Sequence, residues 1–202
     1  MVTTAELVDV VHARRVASAF LEAPRLSKDV VVLAAYRSLG VQADRWFVRL
    51  TGPRAQPVRV VYTRRPVPYT TADELAAQVR DEGVLEIRPV HHDHDRRHPL
   101  LDNSIGGTYD RLRAVHDLVS HASCGFGFDR QGEFSGWLVE DQMYTGLARR
   151  ALATELHAEH SVLWTSGEPA EHKAMLLDAG LLRAARRRER GAADRPVSPR
   201  SS

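Results

Sequence analysis

The segment His116-Asp117-Leu118-Val119-Ser120-His121 carries two imidazoles, and Glu133 and Glu155 follow His121 at intervals of 12 and 34 residues. Two neutral imidazoles and one carboxylate can bind one face of a divalent ion. With positions left open on the other face, such a set suits ferrous iron and oxygen chemistry. The spacing sets a condition. On an uninterrupted α-helix, residues five apart point about 140° away from each other. His116 and His121 can therefore meet one ion only if the helix unwinds near Ser120 or ends there. Ala122-Ser123-Cys124-Gly125 offers such an end. Asp117 could orient a ligand imidazole from behind. Glu155 shares a helical face with Leu152 and Leu156 and projects inward, so it ranks first as the third ligand. Glu133 follows Gly132 at a helix N-terminus, where the helix dipole stabilises its charge in any case. In that ranking Glu133 positions substrate or moves protons.

Six of the other histidines fall into two groups. His91, His92, His94 and His98 fall within eight residues and could bind a transition metal, but a solvated loop or a lid over the main site is the simpler reading. His157, Glu159 and His160 lack a zinc-protease spacing and read as a helix surface. Gly106-Gly107 and Gly125-Phe126-Gly127 lack the strand and lysine context of a phosphate-binding loop.

The elements that must position these residues are mostly helical. Thr3 or Thr4 caps a helix carrying Val16, Phe20 and Leu21 that ends before Pro24. A second begins near Ser27 and Asp29 and runs to about Leu39, where Gly40 permits a break; Trp46, Phe47 and Leu50 form a further turn. Val58 to Thr63 is β-branched and reads as a strand. Thr70 or Thr71 caps a helix stopped by Gly83, and Val84 to Val90 reads as a second strand. His91 to Gly107 is polar and broken by Pro and Gly, so it reads as a loop. A helix starts near Thr108 and ends at Gly125 and Gly127. A long helical stretch follows Gly132, with a break at Gly146, and the last helix spans about Pro169 to Leu182. The fold class is α+β and helix-dominated, with a small β element near residues 57–90.

Composition is compatible with a single globular domain, 1–183, with the metal cluster in 108–160. At 202 residues and 43% hydrophobic the chain can bury a real core. The longest apolar run, Val30 to Ala35, is far short of a membrane span. Glu6 and Asp9 interrupt any signal-peptide pattern. Cys124 stands alone, so no intrachain disulfide or cysteine zinc site is expected, and a cytoplasmic location follows. The net charge is +2, with arginines gathered in Arg183, Arg186, Arg187, Arg188, Arg190, Arg195 and Arg200. Residues 184–202 read as a disordered basic tail. Such a tail could contact nucleic-acid phosphates, but a solvated terminus is the simpler reading.

The histidine segment resembles the H-D-L-x-G-H iron motif of the aromatic amino-acid hydroxylases, with Ser120 at the glycine position. Ala153-Thr154-Glu155-Leu156 is similar to the later T-x-E-F that supplies their carboxylate. The resemblance implies an Fe(II) triad of His116, His121 and Glu155. Over roughly residues 66–182, Pro68-Tyr69, the H-P-L at His98, the Tyr109-to-His121 pattern, the Phe128-to-Glu133 pattern and Thr154-Glu155 also resemble an uncharacterised family of bacteria and their viruses. That likeness implies that the cluster is one unit and names no reaction.

The leading expectation is a metal-dependent enzyme. It is a mononuclear non-heme Fe(II) oxygenase or hydroxylase acting on a small molecule, with Glu133 and Asp117 assisting. A different divalent ion would alter the chemistry. Two alternatives stand beside it. An HD-type metal-dependent phosphohydrolase would use His91 or His92, His116-Asp117 and Asp178, with Asp117 as a direct ligand. A non-enzymatic helical binding module would use the basic tail.

Overall fold

The computed structural model describes residues 10–53, 57–92 and 97–193. It is helix-dominated with one small parallel sheet. Helix α1 spans Val10–Glu22 and α2 spans Val30–Thr51. Asp29 caps α2, its carboxylate accepting the Val31 and Val32 N–H groups at 2.9 Å. The expected break at Gly40 is absent: α2 runs straight through it and takes in Trp46 and Phe47. Gly40 matters for packing instead, since a Cβ there would stand 3.2 Å from the Thr108 methyl.

Strand β1 (Arg59–Tyr62), helix α3 (Ala72–Glu82) and strand β2 (Val84–Ile87) form one β–α–β unit. The strands pair in parallel with Arg59 opposite Val84 and Tyr62 opposite Ile87. Two strands alone are marginal in water. These are secured by an apolar cluster of Leu75, Leu85 and Ile87 with Ala114 and Leu118, which come from the histidine-bearing segment. The sheet is thus a buttress for the site. A 3₁₀ turn, Val90–His92, follows β2. The buried Asp110 carboxylate accepts the Val90 and Gly106 N–H groups, each at 3.0 Å, and so fixes both ends of the loop between them. Residues 93–96 of the His91-to-His98 stretch, and with them His94, lie outside the described residues.

Helix α4 (Thr108–His116) passes directly into a π-helical segment, Asp117–Ser123. Helix α5 covers Arg130–Met143 and α6 covers Ala148–Leu152. Between them Gly146 takes φ 59°, making the break expected there. A second π-helical segment, Ala153–Ala158, joins α6 to α7 (Glu159–Ser166). The principal core gathers Phe20, Tyr36, Leu39, Leu112, Trp137 and Leu152 from five of these helices.

The C-terminal region departs from expectation. Residues 171–178 are irregular, and the last helix, α8, spans Ala179–Ala193. Its arginines do not all belong to a free tail. Leu182 and Ala185 are buried, and Arg186 makes a two-point ion pair with buried Asp141 at 2.6 and 2.8 Å. Residues 194–202 of the expected tail, and Thr3 and Thr4, lie outside the described residues. Among the described residues no helix is long and apolar enough to cross a membrane.

Candidate metal centre

The condition set by the five-residue spacing is met by a change of helix type. After His116 the backbone bonds widen from i→i−4 to i→i−5, as in Cys124 N–H to Val119 O at 3.1 Å. In that winding residues five apart stack over one another. The His116 and His121 ring centroids lie 4.9 Å apart, edge to face. Gly125, at φ 69°, then turns the chain back so that Phe126 N–H reaches Ser120 O at 3.0 Å. The turned-back Phe126 carbonyl accepts the His121 Nδ1–H at 2.8 Å.

Helix α5 supplies the carboxylates. Glu133 and Glu140 are seven residues apart, two helical turns, and share a face. Their helix closes on the π-segment and on the turn that follows it because Gly136 and Gly132 have no side chain. A Cβ at Gly132 would stand 2.0 Å from Gly127 O, and one at Gly136 would stand 2.4 Å from Ser120 Oγ. Glu140 Oε1 accepts the His116 Nδ1–H at 2.6 Å and the Ser120 hydroxyl at 2.8 Å. With Nδ1 of each histidine tied, each Nε2 faces Glu133, and the proton that His116 Nε2 shares with that carboxylate is the one a metal ion would displace. His116 Nε2 lies 3.0 Å from Oε2, and His121 Nε2 lies 3.7 Å from Oε1. His116, His121 and Glu133, all buried, offer three donor atoms within 4.8 Å of one another. A histidine backed by a carboxylate is the usual second shell of a metal site, setting both tautomer and ring orientation.

A third imidazole joins them. His160 donates Nδ1–H to Leu156 O at 2.6 Å, and its Nε2 stands 3.4 Å from Glu133 Oε2. Burial alone would push the Glu133 carboxyl up, but His160, His116 and His121 pull it down to about 2, so it is an anion at physiological pH. Burial and the neighbouring His116 lower His121, which favours its neutral, ligand-ready form. Burial works against charge on His116 as well, but there the Glu140 and Glu133 carboxylates outweigh it and raise its pKa well above the ordinary histidine value.

Beside this group lies a second one. Glu155, Glu159 and His172 also offer donor atoms within 4.8 Å of one another, and both groups line one cavity of about 250 Å³. Buried His/Glu groups able to hold a metal ion are therefore present. Glu155, ranked first as the partner of His116 and His121, belongs to this second group. Its Oε1 is taken by the Tyr36 hydroxyl at 2.6 Å and by His98 Nε2 at 3.3 Å, while Glu133 is the carboxylate beside the two imidazoles.

Other expectations resolve in turn. Asp117 lines the cavity, and burial raises its pKa against the pull of His116 and Arg113. Asp178, required by the phosphohydrolase reading, accepts Gly180 and Leu181 N–H groups at the start of α8. His157 is not on a helix surface: it is buried and stacks on Trp137 at 4.3 Å. His160 is a cavity residue. The π-segment preceding α7 shifts the face that this stretch presents, which a plain helical count does not anticipate. His98, in the expected loop, is buried, and its Nδ1 accepts the Leu100 and Leu101 N–H groups at 3.0 and 2.8 Å. Sequence reasoning missed Glu140 and His172. The seven-residue interval from Glu133 could have signalled the first; nothing local signals the second.

Comparison with family models, with curated proteins and with solved structures finds no match for this chain.

Proposed function

We propose that the chain is a non-heme Fe(II) enzyme, an oxygenase or hydroxylase of a small molecule. Its metal ligands are Nε2 of His116, Nε2 of His121 and the Glu133 carboxylate. The observation that carries this reading is the convergence of two Nε2 atoms on one buried carboxylate while both Nδ1 atoms are tied elsewhere. Two histidines and one carboxylate with open positions are the donor set of ferrous oxygenases. The local likeness of the His116–His121 segment to the hydroxylase iron motif supports it. The exposed free thiol of Cys124 fits a reducing, cytoplasmic setting.

Bound Fe(II) would supply the one-electron chemistry that activates oxygen. The chain's residues do the rest. Glu140 holds the His116 ring and strengthens Nε2 as a donor; the Phe126 carbonyl does the same for His121. His160 stands beside the Glu133 oxygen nearest to it, 3.4 Å away, and limits its movement. Phe128, Leu156 and Leu163 line the cavity and limit water, while Arg113 and Asp117 give it polar wall groups for orienting substrate.

The test is anaerobic Fe(II) titration of the untagged chain, followed by oxygen uptake on mixing with air-saturated buffer. Fe(II) binding and oxygen uptake are expected in the wild type, with both reduced in His121→Ala and Glu133→Ala of unchanged circular dichroism. An Fe(II) stoichiometry as high in a folded His116→Ala/His121→Ala protein as in the wild type would overturn the assignment. So would wild-type binding of zinc with no uptake of Fe(II).

A further inference from the structure

The second group in the cavity is organised as a site. Glu155 is 5% exposed, and its two oxygens are treated unequally. Because His98 Nδ1 accepts two backbone N–H groups, its proton sits on Nε2 and is donated to Glu155 Oε1; the Tyr36 hydroxyl donates to the same oxygen. Oε2 is buried and has no hydrogen-bond partner. A buried carboxylate oxygen without a donor is costly unless something else fills the place. His172 Nδ1 stands 2.8 Å from Glu159 Oε1, and the Tyr109 hydroxyl lies 3.1 Å from Nε2 and 3.4 Å from Nδ1 of the same ring. Tyr36 and His98 thus fix Glu155, and Tyr109 contacts His172.

We infer that Glu155, Glu159 and His172 form a second divalent-cation site, separate from His116, His121 and Glu133 but opening onto the same cavity. Two carboxylates and one imidazole make an oxygen-rich set, suited to Mn²⁺ or Fe²⁺ and poor for Cu(I). The cation would satisfy Glu155 Oε2 and balance the paired carboxylates. It would also leave a positive centre beside the first site, able to hold an anionic or chelating substrate between the two. This inference stands without the Fe(II) reading, because it needs none of that site's ligands.

Equilibrium dialysis of the full chain against Mn²⁺ tests it. The wild type is expected to bind two ions per chain. Glu159→Gln, which preserves volume, and His172→Ala should each bind one; His121→Ala should also bind one, by losing the other. Thermal melting of each variant separates loss of a site from loss of fold, and Glu159→Gln serves if His172→Ala unfolds. A wild-type stoichiometry of one that survives both Glu159→Gln and His172→Ala overturns the second site and leaves the first intact. One ion lost in Glu159→Gln but kept in His121→Ala supports the second site and overturns the first. No Mn²⁺ binding at all overturns this proposal.

Discussion

The two π-helical segments, Asp117–Ser123 and Ala153–Ala158, both bring ligand-type side chains to one cavity, but their anchors lie at different distances along the chain. The first is anchored nearby. His121 binds the Phe126 carbonyl five residues on, Gly125 makes the turn that allows it, and Glu140 and Gly136 lie within one following helix. The second is anchored from afar. Glu155 is held by Tyr36 of α2 and by His98 before α4, while His157 packs between Trp137 of α5 and His12 of α1. A site built on local contacts should fail by backbone displacement. One built on remote contacts should fail by loss of packing and of buried polar pairs.

The largest expected effect belongs to the second segment and to acid. Burial, with a smaller contribution from His12, lowers His157 to about 3. Its value in the unfolded chain is near 6.5, so between pH 6.5 and 3 the unfolded state holds the extra proton. Stability conferred by the neutral ring is complete above about pH 6.5. It falls by about 1.4 kcal/mol per pH unit as the solution is acidified, in total on the order of 5 kcal/mol. Urea unfolding across that range should show the slope in the wild type and a flatter line in His157→Phe. Any packing cost of the phenylalanine shifts the whole line and leaves its slope alone. Equal slopes in the two proteins would place His157 outside the acid response.

The first segment should answer most strongly to a methyl group. In Gly132→Ala the new Cβ meets a backbone oxygen, Gly127 O, at 2.0 Å, and neither atom can rotate away. A loss of about 3 kcal/mol is expected, at the upper end for overpacking. Gly136→Ala meets Ser120 Oγ at 2.4 Å and Ser120 Cβ at 2.7 Å; the hydroxyl can rotate away at the expense of its bond to Glu140 but the Cβ cannot, so its loss should approach that of Gly132→Ala. Equal urea midpoints for Gly132→Ala and wild type would show that the close approach of α5 is dispensable.

This contrast also explains what the sequence disclosed. The interval from His116 to His121 stated its own condition, and the glycines after Ser123 pointed to where the helix would end, though not to the change of winding after His116. The β–α–β unit, the break at Gly146 and the cap at Thr71 were legible for the same reason: turn residues and caps act within a few positions. Glu155 was read as facing inward, yet its partners Tyr36 and His98 are 119 and 57 residues away. No periodicity links such positions. The choice between Glu133 and Glu155 turned on the same blind spot, since Glu133 had a sufficient local explanation in the helix dipole. Gly40 misled in the opposite sense, because a helix can carry a glycine where another helix must come close.

Metal affinity gives a third comparison. Glu140→Gln keeps the volume and the Ser120 bond but replaces the carboxylate behind His116 with a neutral amide. Fe(II) or Mn²⁺ affinity at the first site should fall about 10- to 100-fold. Binding at the Glu155 group should be unchanged, because none of its hydrogen bonds passes through Glu140. A parallel weakening of both ions in competitive titration would mean that the two groups act as one centre.

Single hydroxyls test the local and remote anchoring most directly. Tyr36→Phe removes the donor at 2.6 Å from Glu155, leaving Oε1 with His98 alone and Oε2 still without a partner. Ser120→Ala removes the donor at 2.8 Å from Glu140, whose Oε1 keeps the His116 Nδ1–H. Hydrogen bonds to a charged group are worth about 1.5–3 kcal/mol. Both variants should lie in that range, with Tyr36→Phe the costlier because its carboxylate then has the weaker remaining bond, 3.3 Å against 2.6 Å. The order of the two losses decides the point. A larger loss in Ser120→Ala, read from urea midpoints at constant m-value, would put the stability of the cavity in the locally anchored segment and reduce the remote contacts of Glu155 to positioning alone.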